Sequence, residues 1–309
     1  MLCQPYPNQM EKSIVKNPFQ RSQAKKIQPS NQAPQNLSST SSQVYILEPR
    51  LQSAFAQSNG IQREYNEDAV LTIEFSVTYQ DVIRNAGIYA IADGMGGHLH
   101  GEIASKVAVT SLASTLIERS LLPQFNPPTA QPQNSFLNTL KEAVLIAHQE
   151  VLQKASGGGT TLTCCLILAK TLTIAHIGDS RAYYIGENEE IKLYTRDHSL
   201  VKRLVELGQI SEQEAQNHPQ RNVLYRALGQ TDPLEADVFS IPLPPSGYLL
   251  LCSDGLWGVV PENQIVQTIR QSPNLQVACN RLTQLANEAG GPDNISVILV
   301  KFSSTSSSE

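Results

Sequence analysis

The sequence predicts an α+β domain between two polar tails. Three observations lead there. Strand-like segments cluster at the beginning, middle and end of the chain. Helical segments come in pairs between them, and strict βα alternation is absent. With 309 residues, 40% of them hydrophobic and 17% charged, the chain can bury a large core.

The elements follow in order. Residues 1–43 are rich in Gln, Asn, Ser and Pro with almost no apolar periodicity, which predicts a disordered tail. Glu11 against Lys12, Lys16, Arg21, Lys25 and Lys26 makes it mildly basic. A solvated leader is the plainer reading and a docking or regulatory segment the other. Residues 44–303 read as one domain and 304–309 as a polar C-terminal tail. Within the domain, 70–77 is β-branched and partly alternating, and 87–92 is an apolar run ending in Asp93-Gly94; both read as strands. Helices are predicted at 102–119, with Ile103, Val107, Thr110 and Ile117 on one stripe, and at 136–154, with Leu140, Val144, Ala147 and Val151. Gly157-Gly158-Gly159 ends the second. Strands at 160–168, 172–177, 182–185 and 191–194 come next. Short helices at 198–207 and 211–217 follow, the second opened by a Ser211/Glu214 capping box. A strand at 248–252 runs into Ser253-Asp254-Gly255. Helices at 261–271 and 274–289 and a strand at 295–302 complete the domain.

Composition excludes several classes. A formal net charge of −5 gives no reason to expect nucleic acid or an anionic membrane as partner. None of the five cysteines forms a C-x-x-C pair, so they read as free thiols in a reducing compartment. The first thirty residues hold no apolar leader, and no apolar run is long enough to span a bilayer. The expectation is a soluble, cytoplasmic monomer.

The chemistry lies in a recurring pattern: an apolar strand ends and an aspartate stands at the turn. It occurs at Asp93-Gly94, Asp179-Ser180, Asp254-Gly255 and Asp293-Asn294, and Glu67-Asp68 precedes a strand. Any one of these is ordinary turn chemistry. Several carboxylates at the ends of core strands, however, can converge on one edge of a packed sheet. Their mutual repulsion is relieved by a cation, and oxygen ligands without His or Cys suit Mg²⁺ or Mn²⁺.

In order along the chain stand Arg63-x-x-Asn66-Glu67-Asp68, Asp93-Gly94-Met95-Gly96-Gly97-His98, Gly159-Thr160-Thr161, Gly178-Asp179-Ser180-Arg181, Ser253-Asp254-Gly255-Leu256-Trp257 and Asp293-Asn294. From about residue 45 to 302 the chain thereby resembles the PPM family, the type-2C-like metal-dependent serine/threonine protein phosphatases, in its bacterial form. The resemblance implies a four-layer αββα sandwich of two mainly antiparallel sheets flanked by helix pairs, with a flap insertion at about 197–229. It implies two Mg²⁺ or Mn²⁺ ions, possibly a third, and hydrolysis of phosphoserine and phosphothreonine in substrates of Ser/Thr kinases. It assigns Asp93 as the bridging ligand, Asp254 and Asp293 as its partners, and the Gly94 carbonyl with Glu67 or Asp68, through water, to the second ion. Asp179 would hold the third, shared with Asp254. Two ions about 3.5–4 Å apart would activate a water for in-line attack, without a phosphoenzyme. Arg63 matches the family's phosphate-binding arginine, and its planar fork suits phosphate oxygens. An ion pair with a nearby carboxylate is the plainer reading of Arg63. Met95 stands where animal relatives often carry His, so His98 is the nearest imidazole for substrate contact or proton transfer; a structural hydrogen bond is its other reading. The flap would influence substrate choice.

Other chemistries fit worse. No arginine closes a phosphate loop after Cys252, no Gly-Lys-Ser/Thr follows Gly157–Gly159, and no G-x-S-x-G occurs. A phosphatase-like binding module without turnover, and a phosphatase of small esters, are the alternatives.

Overall fold

Alternation along the strands sets the architecture. The computed structural model describes residues 45–46, 49–79, 82–96, 99–125, 134–230 and 233–303. The predicted tails at 1–43 and 304–309, and His98, lie outside the described residues. In chain order the elements are β1 (Tyr45–Ile46), β2 (Arg50–Ser58), β3 (Asp68–Tyr79), β4 (Val82–Met95), α1 (Leu99–Leu116), α2 (Asn134–Lys154), β5 (Gly159–Thr160), β6 (Leu162–Leu168), β7 (Thr171–Ile177), β8 (Arg181–Ile185), β9 (Ile191–Leu193), α3 (Leu200–Glu206), α4 (Glu212–Gln216), β10 (Asp237–Pro242), β11 (Ser246–Cys252), α5 (Asp254–Trp257), α6 (Glu262–Gln271), α7 (Leu275–Glu288) and β12 (Ile295–Ser303).

One sheet is built on β4, which pairs with β3 on one side and with β6 on the other; β7 and β10 continue beyond β6. The second sheet runs β2-β12-β11-β8-β9. All pairings are antiparallel except the short β1–β4 contact. Successive side chains on a strand face opposite ways. On β4 and β6, Ala86, Ile88, Ala90, Cys164 and Leu166 therefore pack against α1 and α2, while Tyr89, Ile91, Cys165 and Ile167 face the other sheet. On β11 and β12, Leu250, Cys252, Val297 and Leu299 pack against α6 and α7, and Leu249, Leu251, Ile298 and Val300 face inward. Three cores separate four layers, helix–sheet–sheet–helix, as the αββα expectation requires. The central strand β6 is buried along its whole length because both faces are covered.

Several expectations need correction. Three strands, β1, β2 and β10, went unpredicted. In α1 the buried face is Ala104, Ala108, Leu112 and Leu116, not the predicted stripe; Ile103, Val107 and Ile117 are partly buried, and Thr110 is exposed and bonds the Lys106 carbonyl. The α-helix ends at Leu116 and continues as a π turn, Ile117–Leu121, instead of running to Arg119. In α2 the predicted stripe is the buried one. Predicted strand 160–168 is interrupted at Thr161, whose side chain is engaged elsewhere, and the strand at 87–92 is the middle of a longer one. No described helix is long and apolar enough to cross a membrane.

Candidate active site

The acidic residues gather where strands of both sheets end. Asp93, near the end of β4, stands opposite Asp68 at the start of β3. Its backbone is tied down by the β5–β6 break: the Asp93 N–H donates to Thr161 Oγ1 (2.9 Å), and its carbonyl accepts from the Thr161 N–H (2.9 Å) and Thr160 Oγ1 (2.9 Å). Thr161 Oγ1 also lies 2.8 Å from Ser180 Oγ, next to Asp179. From the second sheet, β11 ends at Cys252 and Asp254 opens the single turn α5. Asp293 precedes β12; its Oδ1 accepts from the Asn294 N–H (2.9 Å) and its Oδ2 from Arg63 Nη2 (2.8 Å).

Asn294 fastens the Arg63 loop. Its Nδ2 donates to the Asn59 and Tyr65 carbonyls, both within 2.9 Å, and its Oδ1 accepts from the Glu67 N–H. Gly60, at φ +82°, lets this loop lie against the Asp293 carbonyl, which an added Cβ would meet at 2.2 Å. The Glu67 carbonyl in turn accepts from the Gly94 N–H (3.2 Å) and Ser105 Oγ (2.6 Å), joining the loop to β4 and α1.

The electrostatics carry the strongest sign of a site. Burial pushes the Asp93 carboxyl well above the usual carboxylate range, and Asp68, Asp254, Asp179 and Asp293 push it further. Burial also raises Asp254, with Asp179 and Asp293 as the leading charges against it and Arg63 opposing. Asp179 is pushed up to about 7, by burial and then by Asp197. Asp68 is pushed up to about 6 by burial, although Ser296 and Ser253 hydroxyls at 2.7 and 3.0 Å hold it back. Asp68 Oδ1 and Asp254 Oδ1 are buried with no hydrogen-bond partner. Buried carboxylate oxygens left unbonded are costly, and a cation relieves them.

A finished cage is not drawn: among the described residues no three Asp, Glu, His or Cys side chains close into one ligand set. Asp293 is engaged by Arg63, and Asp68 by Ser253 and Ser296. The oxygen-only donors, the unbonded oxygens and the raised carboxyls nevertheless fit hard divalent cations. Cys164, Cys165, Cys252 and Cys279 are free and buried, and burial pushes Cys164, Cys252 and Cys279 up to about 12, far from thiolate chemistry.

Around Asp179 lies machinery that sequence reasoning did not assign. The Trp257 Nε1–H donates to the Asp179 carbonyl (3.0 Å), and the Arg181 guanidinium stacks 3.6 Å over the Trp257 ring while gripping Asp197 with two bonds of 3.0 and 2.7 Å. Asp197 and His198 begin the predicted flap. Its ends are pinned by isolated bridges, Ser199 to Leu224 and Leu228 to Thr160, and its Ser211/Glu214 capping box is formed. Leu207, Val223 and Tyr225 lie exposed on it. His176 sits under the flap with Nδ1 2.9 Å from Thr163 Oγ1 and Nε2 3.0 Å from the Arg196 carbonyl; burial brings it down to about 4. Only membership of Ser180, Arg181, Trp257 and Asn294 in the quoted motifs hinted at these positions.

The glycine after Asp93 has a packing reason. A Cβ on Gly94 would lie 2.3 Å from the Gly101 carbonyl and 2.6 Å from that of Glu67, so β4 and α1 meet there with no room for a side chain.

Comparison with known proteins places the chain in a family. Residues 53–295 match the family described as Protein phosphatase 2C. The "Serine/threonine phosphatase stp" of Listeria monocytogenes serotype 4b is 36% identical over 251 residues, 81% of this chain and 96% of that protein. The crystal structure of the Mycobacterium tuberculosis serine/threonine phosphatase PstP/Ppp superposes with a TM-score of 0.67 at 32% identity, covering 82% of this chain and 99% of that one. The catalytic domain of the serine threonine protein phosphatase PstP, solved in complex with two manganese ions, gives 0.66 at 30% identity, with 82% and 99% covered. With residues 53–295 matched and relatives at this identity over most of its length, the chain belongs to the protein phosphatase 2C family.

Proposed function

We propose that this protein is a metal-dependent protein serine/threonine phosphatase, which releases inorganic phosphate from phosphoserine and phosphothreonine. The observation that carries the reading is the convergence of Asp93, Asp254, Asp68 and Asp179, each with its carboxyl raised first by burial, and Asp93 and Asp254 further by neighbouring members of the group. Two Mg²⁺ or Mn²⁺ ions, when bound, lower the pKa of water and offset phosphate charge at neutral pH. Asp93, Asp254 and Asp293 would hold these ions, together with the Gly94 carbonyl and Glu67 or Asp68. Asp179, the leading charge against Asp254, would hold a third.

Arg63 takes the phosphate. Its pairing with Asp293 holds the guanidinium at the acidic edge, and its half-exposed fork has further donors for phosphate oxygens. The plainer reading, an ion pair, and the phosphate-binding reading thus describe one residue. His98 is assigned to substrate contact or to protonating the leaving oxygen. The flap, pinned at its base with apolar side chains exposed, is assigned to protein substrate selection, and the substrates to the products of Ser/Thr kinases. A paired assay tests the reading: an aryl phosphate and a phosphothreonine peptide, each with Mn²⁺ and with chelator. Metal-dependent turnover of both is expected. Turnover of the aryl ester alone favours a small-ester phosphatase, and turnover of neither favours a binding module.

A further inference from the structure

Gly178 immediately precedes Asp179 and sits at φ +104°, in a conformation that suits glycine; a Cβ there would meet Thr161 Cγ2 at 2.5 Å. Both polar groups of Gly178 go to one residue. The His198 N–H donates to the Gly178 carbonyl (2.7 Å), and the Gly178 N–H donates to His198 Nδ1 (3.2 Å). An N–H can only donate, so Nδ1 must accept and the ring proton belongs on Nε2. From there it is directed at Asp237 Oδ2, 3.3 Å away. Arg226, whose Nη1 lies 3.4 Å from Nε2, is answered instead by Glu235 and Asp237. The ring is 1% exposed, between His176 at 4.9 Å and Tyr225 at 5.8 Å between ring centres.

The same residue holds the flap. The His198 carbonyl accepts from the Tyr225 N–H (3.0 Å), and the next residue, Ser199, bridges to Leu224 and caps α3. One backbone position therefore touches the Asp179 loop on one side and both limbs of the flap on the other. Trp257 supplies a separate tether at the Asp179 carbonyl.

We propose that His198 is a positioning residue, gripping both polar groups of Gly178 so that the Asp179 carboxylate and the base of the flap keep one fixed relation. The inference rests on the phosphatase reading only for its catalytic consequence; the grip itself is independent of it. The grip needs an acceptor at the Nδ1 position, and the Nε2 proton directed at Asp237 keeps the wild-type ring in the tautomer that supplies it. Asn can place Oδ1 near the Nδ1 position, whereas Gln places its polar group near Nε2; the backbone bond from residue 198 to the Gly178 carbonyl survives, and the Gly178 N–H loses its acceptor.

The test uses the full chain with His198→Gln and His198→Asn. In metal-free protein, amide hydrogen exchange of peptides covering 176–182 and 198–206 should accelerate about tenfold or more in His198→Gln and stay close to wild type in His198→Asn. The Mn²⁺ concentration that half-activates hydrolysis of a phosphothreonine peptide should rise about tenfold in His198→Gln, as loss of an outer-shell partner does, and little in His198→Asn. Equal effects of the two substitutions, or unchanged exchange in His198→Gln, would overturn the proposal. If His198→Gln fails to fold, the wild-type ring decides: nitrogen NMR should show His198 Nδ1 unprotonated and hydrogen-bonded with the proton on Nε2, and a proton on Nδ1 would overturn the proposal equally. A wild-type chain inert on the phosphopeptide with Mn²⁺ defeats the phosphatase reading, while the exchange data still settle the grip.

Discussion

The Asp93 carboxyl is held above its ordinary range by burial and by four neighbouring aspartates, so Asp93→Asn removes a destabilising charge and a proposed ligand together. In chelator at neutral pH the variant should melt above wild type by calorimetry. Its turnover with Mn²⁺ should fall at least about 100-fold, because outer-shell changes alone cost 10–100-fold. A lower melting temperature, or near-normal turnover, would remove Asp93 from the centre. Arg63→Ala should raise KM more than it lowers kcat, since the guanidinium binds phosphate in ground and transition states alike; an unchanged KM on a phosphopeptide would count against that role. The ligand candidates were legible in the sequence because each sits in a short motif with a turn residue. Their supports were not. Ser253 and Ser296 reach Asp68 across 185 and 228 residues of chain, and nothing local in a serine announces an acceptor so far away.

At the scale of elements, the junction of β4 with α1 decides whether Asp93 is presented at all. Gly94→Ala should cost about 1–3 kcal/mol, the usual range for overpacking, since its Cβ would meet backbone rather than a movable side chain. Denaturant unfolding measures this, and a neutral result would mean that α1 can shift. The long helices and buried strands were readable because their apolar spacing is strong, as in α2 and β6. The three missed strands, β1, β2 and β10, are all edges, and β1 is only two residues long. β2 carries an aromatic, Phe55, on its exposed side at 48% exposure, so its alternation points the wrong way. β10 is short and ends in proline, as edge strands tolerate. The αββα layering came from the family resemblance; spacing alone gave only α+β.

Over the whole molecule, the acidic edge should make the metal-free protein depend on pH in an unusual direction. Asp179 and Asp68 ordinarily titrate near 3.8 but are pushed up to about 7 and about 6 in the fold. A raised carboxyl binds more protons folded than unfolded. Its contribution is therefore complete below about pH 3.8 and is lost as pH rises through 6 and 7. In chelator, Asp179→Asn should gain stability over wild type as pH rises from 4 to 8, by on the order of a few kcal/mol at the upper end. Thermal melts across that range check it, and a difference that shrinks with pH would mean Asp179 is not held protonated by its surroundings. Added Mn²⁺ should raise the wild-type melting temperature and reduce the gap, since binding to the folded state alone stabilises it.

Anomalous diffraction at the manganese edge, from crystals soaked in Mn²⁺, tests the central claim most directly. Two strong peaks about 3.5–4 Å apart, with Asp93 between them and Asp254 and Asp293 on one, are the predicted result. Peaks elsewhere, or Asp93, Asp254 and Asp293 directed at separate places with no metal among them, would contradict it.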